Sequence, residues 1–161
     1  MIGYISVKNI GGKFVGGILV VDDSGIPVEF KYTEPVVPTE LQKIIYGKVL
    51  EKYLSVEIIA KTLLSKLENK PSIILTDSMD LTDSGDNVFF ITKTTPSQSD
   101  IVKIEDGEYV ISSGGLSFRL VGNSPIPDEE LEHLRNFAEN LNVFEPFQRL
   151  AKALDYVCSK H

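Results

Sequence analysis

Apolar and polar residues alternate along the first part of the chain, which predicts β-strands over residues 4–8, 13–21 and 26–33. Turn-forming residues separate these runs, with Asn9, Gly11 and Gly12 after the first and Asp22 and Gly25 after the second. Strands joined by such short turns pair in antiparallel fashion. The chain is therefore predicted to open with a three-stranded antiparallel meander.

A helix is predicted to begin at Thr39, because Thr39 and Gln42 form the pattern of a capping box. Two prolines precede it and make residues 34–38 a stiff connector. The apolar residues that follow form two stripes whose phase changes near residues 53–55, so we expect a bent helix, or two helices, ending near residue 70. The first stripe is Leu41, Ile44, Ile45 and Val49, and the second is Val56, Ile59, Ala60, Leu63, Leu64 and Leu67.

The rest of the chain predicts more strands and then a helix hairpin. Short strands are expected within residues 72–76, 87–93, 101–104, 109–112 and 116–121, with a mobile loop over 93–100 and amphipathic helices after residues 127 and 146. The predicted fold is α+β: a mainly antiparallel sheet of about six to eight strands, with a bent first helix and a C-terminal helix hairpin packed on it. A chain of 161 residues fits one compact domain spanning 1–161.

Two known architectures share much of this element order. One is the small sensor or adaptor sandwich of the longin, roadblock and PAS kind, and the other is the ribonuclease H-like nuclease core. A two-metal nuclease needs carboxylates that converge on one spot. Asp77 ends the predicted fourth strand, but the first strand has no carboxylate, and Glu29 fits the solvent-facing alternation of its hairpin. The residues therefore favour the sensor or adaptor architecture.

Charge argues against nucleic acid as a partner. The net charge is −7, and the chain has only three arginines, at 119, 135 and 149. Binding of nucleic acid draws much of its affinity from basic side chains that neutralise phosphates. The sequence therefore predicts a protein partner or self-association into a homo-oligomer, with nucleic acid unlikely.

Cysteine content and hydropathy predict a cytoplasmic protein. Cys158 is the single cysteine, which excludes an internal disulfide and fits a reducing compartment. The N-terminus lacks the pattern of a secretory signal, and no apolar run approaches the roughly 20 residues of a spanning helix. No membrane contact is expected.

Residues 77–86 form an acidic loop with aspartates spaced by three. Their carboxylates, together with nearby serine and threonine hydroxyls, are oxygen ligands that Ca²⁺ or Mg²⁺ prefers. The alternatives are a solvated loop and an acidic patch that faces a partner. The candidate metal ligands are Asp77, Asp80, Asp83 and Asp86.

Tyr32, Tyr46 and Tyr53 are the candidate binding residues, because tyrosine offers an apolar body and a polar tip to a pocket or an interface. Their strand and helix phases also fit core packing. Catalytic residues remain unknown: His133 is the only imidazole away from the terminus, and no Gly-x-Ser-x-Gly elbow occurs.

These observations predict a noncatalytic binding or assembly module of the sensor or adaptor kind, without a cofactor. The alternative is a divalent-metal-dependent hydrolase or phosphoesterase that uses the acidic loop after the fourth strand.

Overall fold

The structure, a computed structural model, describes residues 1–97 and 99–161. Within them, eight strands form one sheet. In chain order they are β1 (Ile2–Ile10), β2 (Lys13–Val21), β3 (Pro27–Tyr32), β4 (Ile74–Thr76), β5 (Val88–Lys93), β6 (Ile101–Glu105), β7 (Glu108–Ser113) and β8 (Leu116–Val121).

Helical segments connect β3 to β4 and end the chain. The first run comprises α1 (Glu40–Tyr46), a 3₁₀ turn (Gly47–Val49), α2 (Leu50–Lys52), a π-helical segment (Tyr53–Ala60) and α3 (Lys61–Lys66). A 3₁₀ segment (Met79–Ser84) follows β4, and α4 (Asp128–Asn140) and α5 (Glu145–Ser159) follow β8.

The strand order across the sheet is β3-β2-β1-β4-β5-β8-β7-β6. The predicted α+β class is confirmed, and most neighbouring strands are antiparallel. The sheet is nevertheless mixed, because β4 runs parallel to both β1 and β5. The long helical crossover after β3 returns the chain in the direction of β1, and a parallel pair requires such a connection.

Local sequence signals explain the first helical run. The predicted capping box is confirmed: the Thr39 hydroxyl accepts a hydrogen bond from the Gln42 N–H, and the Gln42 side chain accepts one from the Thr39 N–H. The predicted change of phase near residues 53–55 coincides with the start of the π-helical segment at Tyr53. A π turn adds residues to the helical repeat, and this shifts the apolar stripe around the helix axis.

The two predicted stripes have different environments. The second contributes Val56, Ile59 and Leu63 to the core. The first lies in solvent, since Ile44 is 75% exposed and α1 buries no residue. Helical periodicity therefore located the helix but did not indicate which part of it the sheet covers.

The sheet carries a hydrophobic core on each face. Ile2, Tyr4 and Ile10 of β1 pack with α4 and α5 on what we call the α4–α5 face. Ile5 and Val7 pack with the first helical run on the opposite, α1–α3 face. Side chains alternate along a strand, so Ser6 and Lys8 belong to the α4–α5 face.

Gly16 and Gly17 allow both layers of helices to approach β2. A Cβ built on Gly16 would lie 2.2 Å from Ile59 Cγ2, and one on Gly17 would lie 2.9 Å from Leu154 Cδ2. The groups that approach both glycines are side chains of the helices and of neighbouring strands.

The predicted mobile loop 93–100 begins at Lys93, which the structure includes in β5, and contains Gln98, which lies outside the described residues. No helix in the described ranges is long and apolar enough to cross a membrane.

Candidate functional site

A notch opens in the middle of the sheet because β4 is short. Thr76, the last residue of β4, pairs with Ile5 of β1 and Phe90 of β5. β1 then continues to Ile10 and β5 to Lys93. The three strands are parallel, so the notch lies at their carboxyl ends, where open sheets with parallel strands commonly bind ligands.

Asp77 lies at the floor of the notch, directly after β4. Its carboxylate accepts hydrogen bonds from the Ser6 hydroxyl, with Oγ 3.0 and 3.2 Å from the two carboxylate oxygens. Lys8 Nζ lies 2.8 Å from Asp77 Oδ2. Because Ser6 and Lys8 share the α4–α5 face, the Asp77 carboxylate is directed toward that face.

Two more lysines lie on the same face. Lys93 follows Phe89 and Ile91, which pack in the α4–α5 core, and its Nζ lies 5.6 Å from the centroid of the Phe144 ring. This distance suits a cation–π interaction. Lys13 of β2 is diagonal to Lys8 in the β1–β2 register, and its ammonium donates to the His161 carbonyl at 3.3 Å.

The notch is therefore locally basic, although the protein as a whole is acidic. We define the notch by Ser6, Lys8, Asp77 and Lys93, with Lys13 beside it. Three lysines and one aspartate give these five residues a positive formal charge, opposite in sign to the net charge of −7, while Asp80 and Glu51 line a cavity beside Lys8. The average charge of the chain concealed this local excess.

The predicted metal ligands do not converge on one point. Asp80 and Glu51 line a cavity of about 170 Å³, which Lys8, the partner of Asp77, also lines together with Val7 of the α1–α3 face. Asp83 forms an ion pair with Lys52 at 2.8 Å, and this hydrogen-bonded partner lowers the Asp83 pKa. Asp86 is exposed after the 3₁₀ segment.

A metal ion needs several ligands around one point. Among residues 1–97 and 99–161, no three histidine, cysteine, aspartate or glutamate side chains are grouped to hold one. At the notch, an ammonium and a hydroxyl already occupy the Asp77 carboxylate. The residues present do not fit a divalent-metal centre, and the predicted metal site over the acidic loop stays a prediction without geometric support.

The candidate tyrosines fall into two groups. Tyr46 and Tyr53 stack with ring centroids 5.0 Å apart beside a cavity of about 310 Å³, and a hydrogen bond with Tyr46 raises the Tyr53 pKa. Tyr32 stacks instead on Phe30, whose ring lies near Gly17 on the α4–α5 face. The three tyrosines do not form one pocket.

Sequence reasoning missed Lys8 and Lys93 as site residues. A signal was available in β1, where Ser6 and Lys8 interrupt the otherwise apolar series of Ile2, Tyr4 and Ile10 on one face. The partner Asp77 is distant in sequence, however, and only the parallel β1–β4 pairing brings it to Ser6.

Comparison with known proteins gives a fold but no family. No protein-family model matches the sequence, and no curated protein matches it. The chain is similar to Endonuclease V from Ciona intestinalis, solved as the D234N variant in complex with a 23mer DNA that contains an inosine followed by a ribo-adenosine. The TM-score is 0.58 at 11% identity, covering 99% of this chain and 85% of that one. The fold is that of Endonuclease V.

A second Endonuclease V structure, in complex with a 24mer DNA, gives a TM-score of 0.54 at 12% identity and covers 99% of this chain and 86% of that chain. An Argonaute from Marinitoga piezophila with guide RNA covers 84% of this chain and 25% of that one, at 16% identity; its TM-score of 0.39 is too low to indicate a shared fold.

These similarities correct the functional interpretation. The noncatalytic binding or assembly module was wrong, because the chain has the fold of a nuclease solved with DNA rather than that of a sensor or adaptor sandwich. The prediction of a protein partner or self-association, with nucleic acid unlikely, is wrong for the same reason. It rested on net charge, which does not report where the lysines lie.

Proposed function

We propose that this chain is a nucleic-acid-binding protein with a nuclease-like fold, and that a phosphate of the nucleic-acid backbone is held at the notch. The observation that carries the proposal is the likeness to DNA-bound Endonuclease V over 99% of the chain. We also propose that the chain forms one domain spanning 1–161, that its site is the notch, and that the protein is located in the cytoplasm. Buried Cys158, the single cysteine, fits a reducing compartment.

The charges at the notch support a phosphate ligand. Lysine ammonium groups bind phosphates as point charges, and nucleic-acid affinity grows as such contacts release counterions. Lys8 and Lys93 line the notch on strands that flank β4, and Lys13 extends the basic surface along the β1–β2 hairpin. An extended backbone with regularly spaced phosphates fits this row of lysines.

The proposal is tested by fluorescence anisotropy with labelled single-stranded and duplex DNA and RNA at several salt concentrations. Binding should weaken with salt, and Lys93→Ala should reduce the slope of log K against log salt by about one. Lys152→Ala is the matched control, because Lys152 is an exposed lysine of α5. Absence of binding to any of these nucleic acids at low salt would contradict the proposal.

Tyr46 and Tyr53, the candidate binding residues on the first helical run, lie over the face of the sheet opposite to Lys8 and Lys93, and we propose them as a separate contact for bases of a single strand. Both residues are 37% exposed and their rings already stack on each other, and exposed aromatic rings commonly stack on bases of single strands. Tyr53→Ala should weaken binding of single-stranded oligonucleotides more than binding of duplexes, because paired bases are not free to stack. An equal effect on both would argue that the pair serves packing.

The second candidate function is the divalent-metal-dependent hydrolase or phosphoesterase. The nuclease-like fold favours it, as do the position of Asp77 after β4 and the presence of Glu51 and Asp80 in one cavity. Dispersal of the carboxylates argues against it. Cleavage of the same oligonucleotides that appears with Mg²⁺ or Mn²⁺ and disappears in Asp80→Asn would favour this candidate.

A further inference from the structure

We infer that Lys8, held by the Asp77 carboxylate to which Ser6 also donates, takes the place of a divalent cation at the notch, so that this protein binds a backbone phosphate without a metal ion. The inference rests on the proposed function and adds to it the chemistry of the contact. It follows from three observations. The Asp77 carboxylate is already hydrogen-bonded, the Lys8 ammonium group keeps N–H donors for a ligand, and Lys93 lies across the notch.

The Asp77 carboxylate, which would be the metal ligand at the notch, is already hydrogen-bonded to other groups of the protein. Its oxygens accept from the Ser6 hydroxyl at 3.0 and 3.2 Å and from the Lys8 ammonium at 2.8 Å. Ser6 is 1% exposed and is fixed in β1, so its hydroxyl anchors the Asp77 carboxylate to the sheet. A cation on the Asp77 carboxylate would lie close to the Lys8 ammonium group, whose like charge disfavours its binding.

The Lys8 ammonium group keeps donors for a ligand. An ammonium group has three N–H donors, and the contact with Asp77 uses one of them. The Lys8 side chain is 39% exposed, so the remaining donors are accessible to a ligand. Asp77 thereby orients the group as a fixed positive charge that an anion can approach.

Lys93 provides a second positive charge across the notch. When the register is extended beyond Thr76, Asp77 is level with Ser6 and Ile91, and Lys8 and Lys93 each follow two residues later. Their strands are separated by β4 alone, which corresponds to about 10 Å at the usual strand spacing. A phosphate between these strands is within reach of both long side chains. Two ammonium groups carry the same total charge as one divalent cation.

The test compares anisotropy titrations of one labelled oligonucleotide in EDTA and in Mn²⁺. The variants are Lys8→Ala, Lys8→Arg, which retains the charge, and the control Lys152→Ala. We expect the wild-type affinity to be the same in both buffers, to fall roughly tenfold in Lys8→Ala, and to be largely retained in Lys8→Arg. Thermal melts of each variant establish that it is folded at the temperature of the titration.

Each outcome decides between the inference and the proposed function. Equal wild-type binding in both buffers, with loss in Lys8→Ala alone, supports the inference. Binding that requires Mn²⁺ overturns the inference but leaves the proposed function standing. Metal-independent binding that is unchanged in folded Lys8→Ala also overturns it, because the phosphate contact then lies elsewhere. Absence of binding in both buffers overturns the proposed function itself.

Discussion

His133 on α4 and Asp23 in the β2–β3 turn are joined by a contact of 2.6 Å between Nε2 and Oδ1. The N-terminal amino group of Met1 lies 3.6 Å from the same carboxylate oxygen. The hydrogen bond from His133 lowers the Asp23 pKa. This exposed cluster connects the start of the chain, the hairpin turn and the helix layer.

The Asp23 contact should make a small part of the stability depend on pH. A carboxyl group whose pKa is lowered by folding stabilises the folded state above its unfolded pKa of about 3.9, and that contribution is lost as pH falls through the folded pKa. Asp23→Asn should therefore lower the free energy of unfolding near pH 5 by less than about 1 kcal/mol, as expected for an exposed pair, and the difference should disappear on further acidification. Thermal melts across the acid range, with Asp155→Asn as control, check this; a pH-independent difference would contradict it.

The notch should accept a metal ion after two substitutions. In Ser6→Asp combined with Lys8→Ala, two carboxylates face each other without an ammonium group, which is unfavourable unless a cation lies between them. We expect a lower Tm than wild type in EDTA and a clear rise with Mn²⁺, since a ligand bound only to the folded state stabilises it. The uncharged pair Ser6→Asn with Lys8→Ala should show no Mn²⁺ effect. A similar Mn²⁺ response in wild type would contradict our account of Lys8.

Gly16 should tolerate no side chain while Ile59 is present. The added methyl of Gly16→Ala would lie 2.2 Å from Ile59 Cγ2, and such overpacking costs about 1–3 kcal/mol. In the double variant with Ile59→Ala the clash is relieved, so the combined loss should be smaller than the sum of the two single losses. Urea unfolding of the three variants measures this coupling. If the two losses of unfolding free energy simply add, residue 16 does not contact Ile59.

The first apolar stripe should contribute little to stability. Ile44→Gln replaces a side chain that is 75% exposed, so the free energy of unfolding should change by less than about 0.5 kcal/mol. Leu63→Ala, in the second stripe, removes a side chain that is 1% exposed and should cost about 2–5 kcal/mol. Denaturant titrations of both variants test the contrast. A large loss in Ile44→Gln would mean that the stripe is covered in solution.

Local chemistry determined what the sequence could predict. The Thr39 cap and the Asp22 to Gly25 turn depend on neighbours within a few residues, and the structure contains both. The Asp22 carboxylate accepts hydrogen bonds from Ser24 and Ile26 N–H groups, which closes the hairpin as its composition indicated. Element types and their order followed from such signals.

Features that depend on distant residues could not be predicted. The parallel position of β4 between β1 and β5 is not encoded in any local pattern, and it is this position that brings Asp77 to Ser6. The spacing of aspartates in the acidic loop suggested a common function, but Asp83 pairs with Lys52 on another element. Composition failed for a related reason, since a net charge carries no information about position.

The central strand is also the shortest, and this has a consequence for how the chain folds. β1 to β3 and β6 to β8 are meanders of sequence neighbours, whereas β4 joins the two halves through parallel pairs with β1 and β5. Pairings between distant residues form slowly, because a long loop must close before any contact stabilises it. We therefore expect each half to organise first, with the insertion of Ile74–Thr76 as the slow step that completes the sheet.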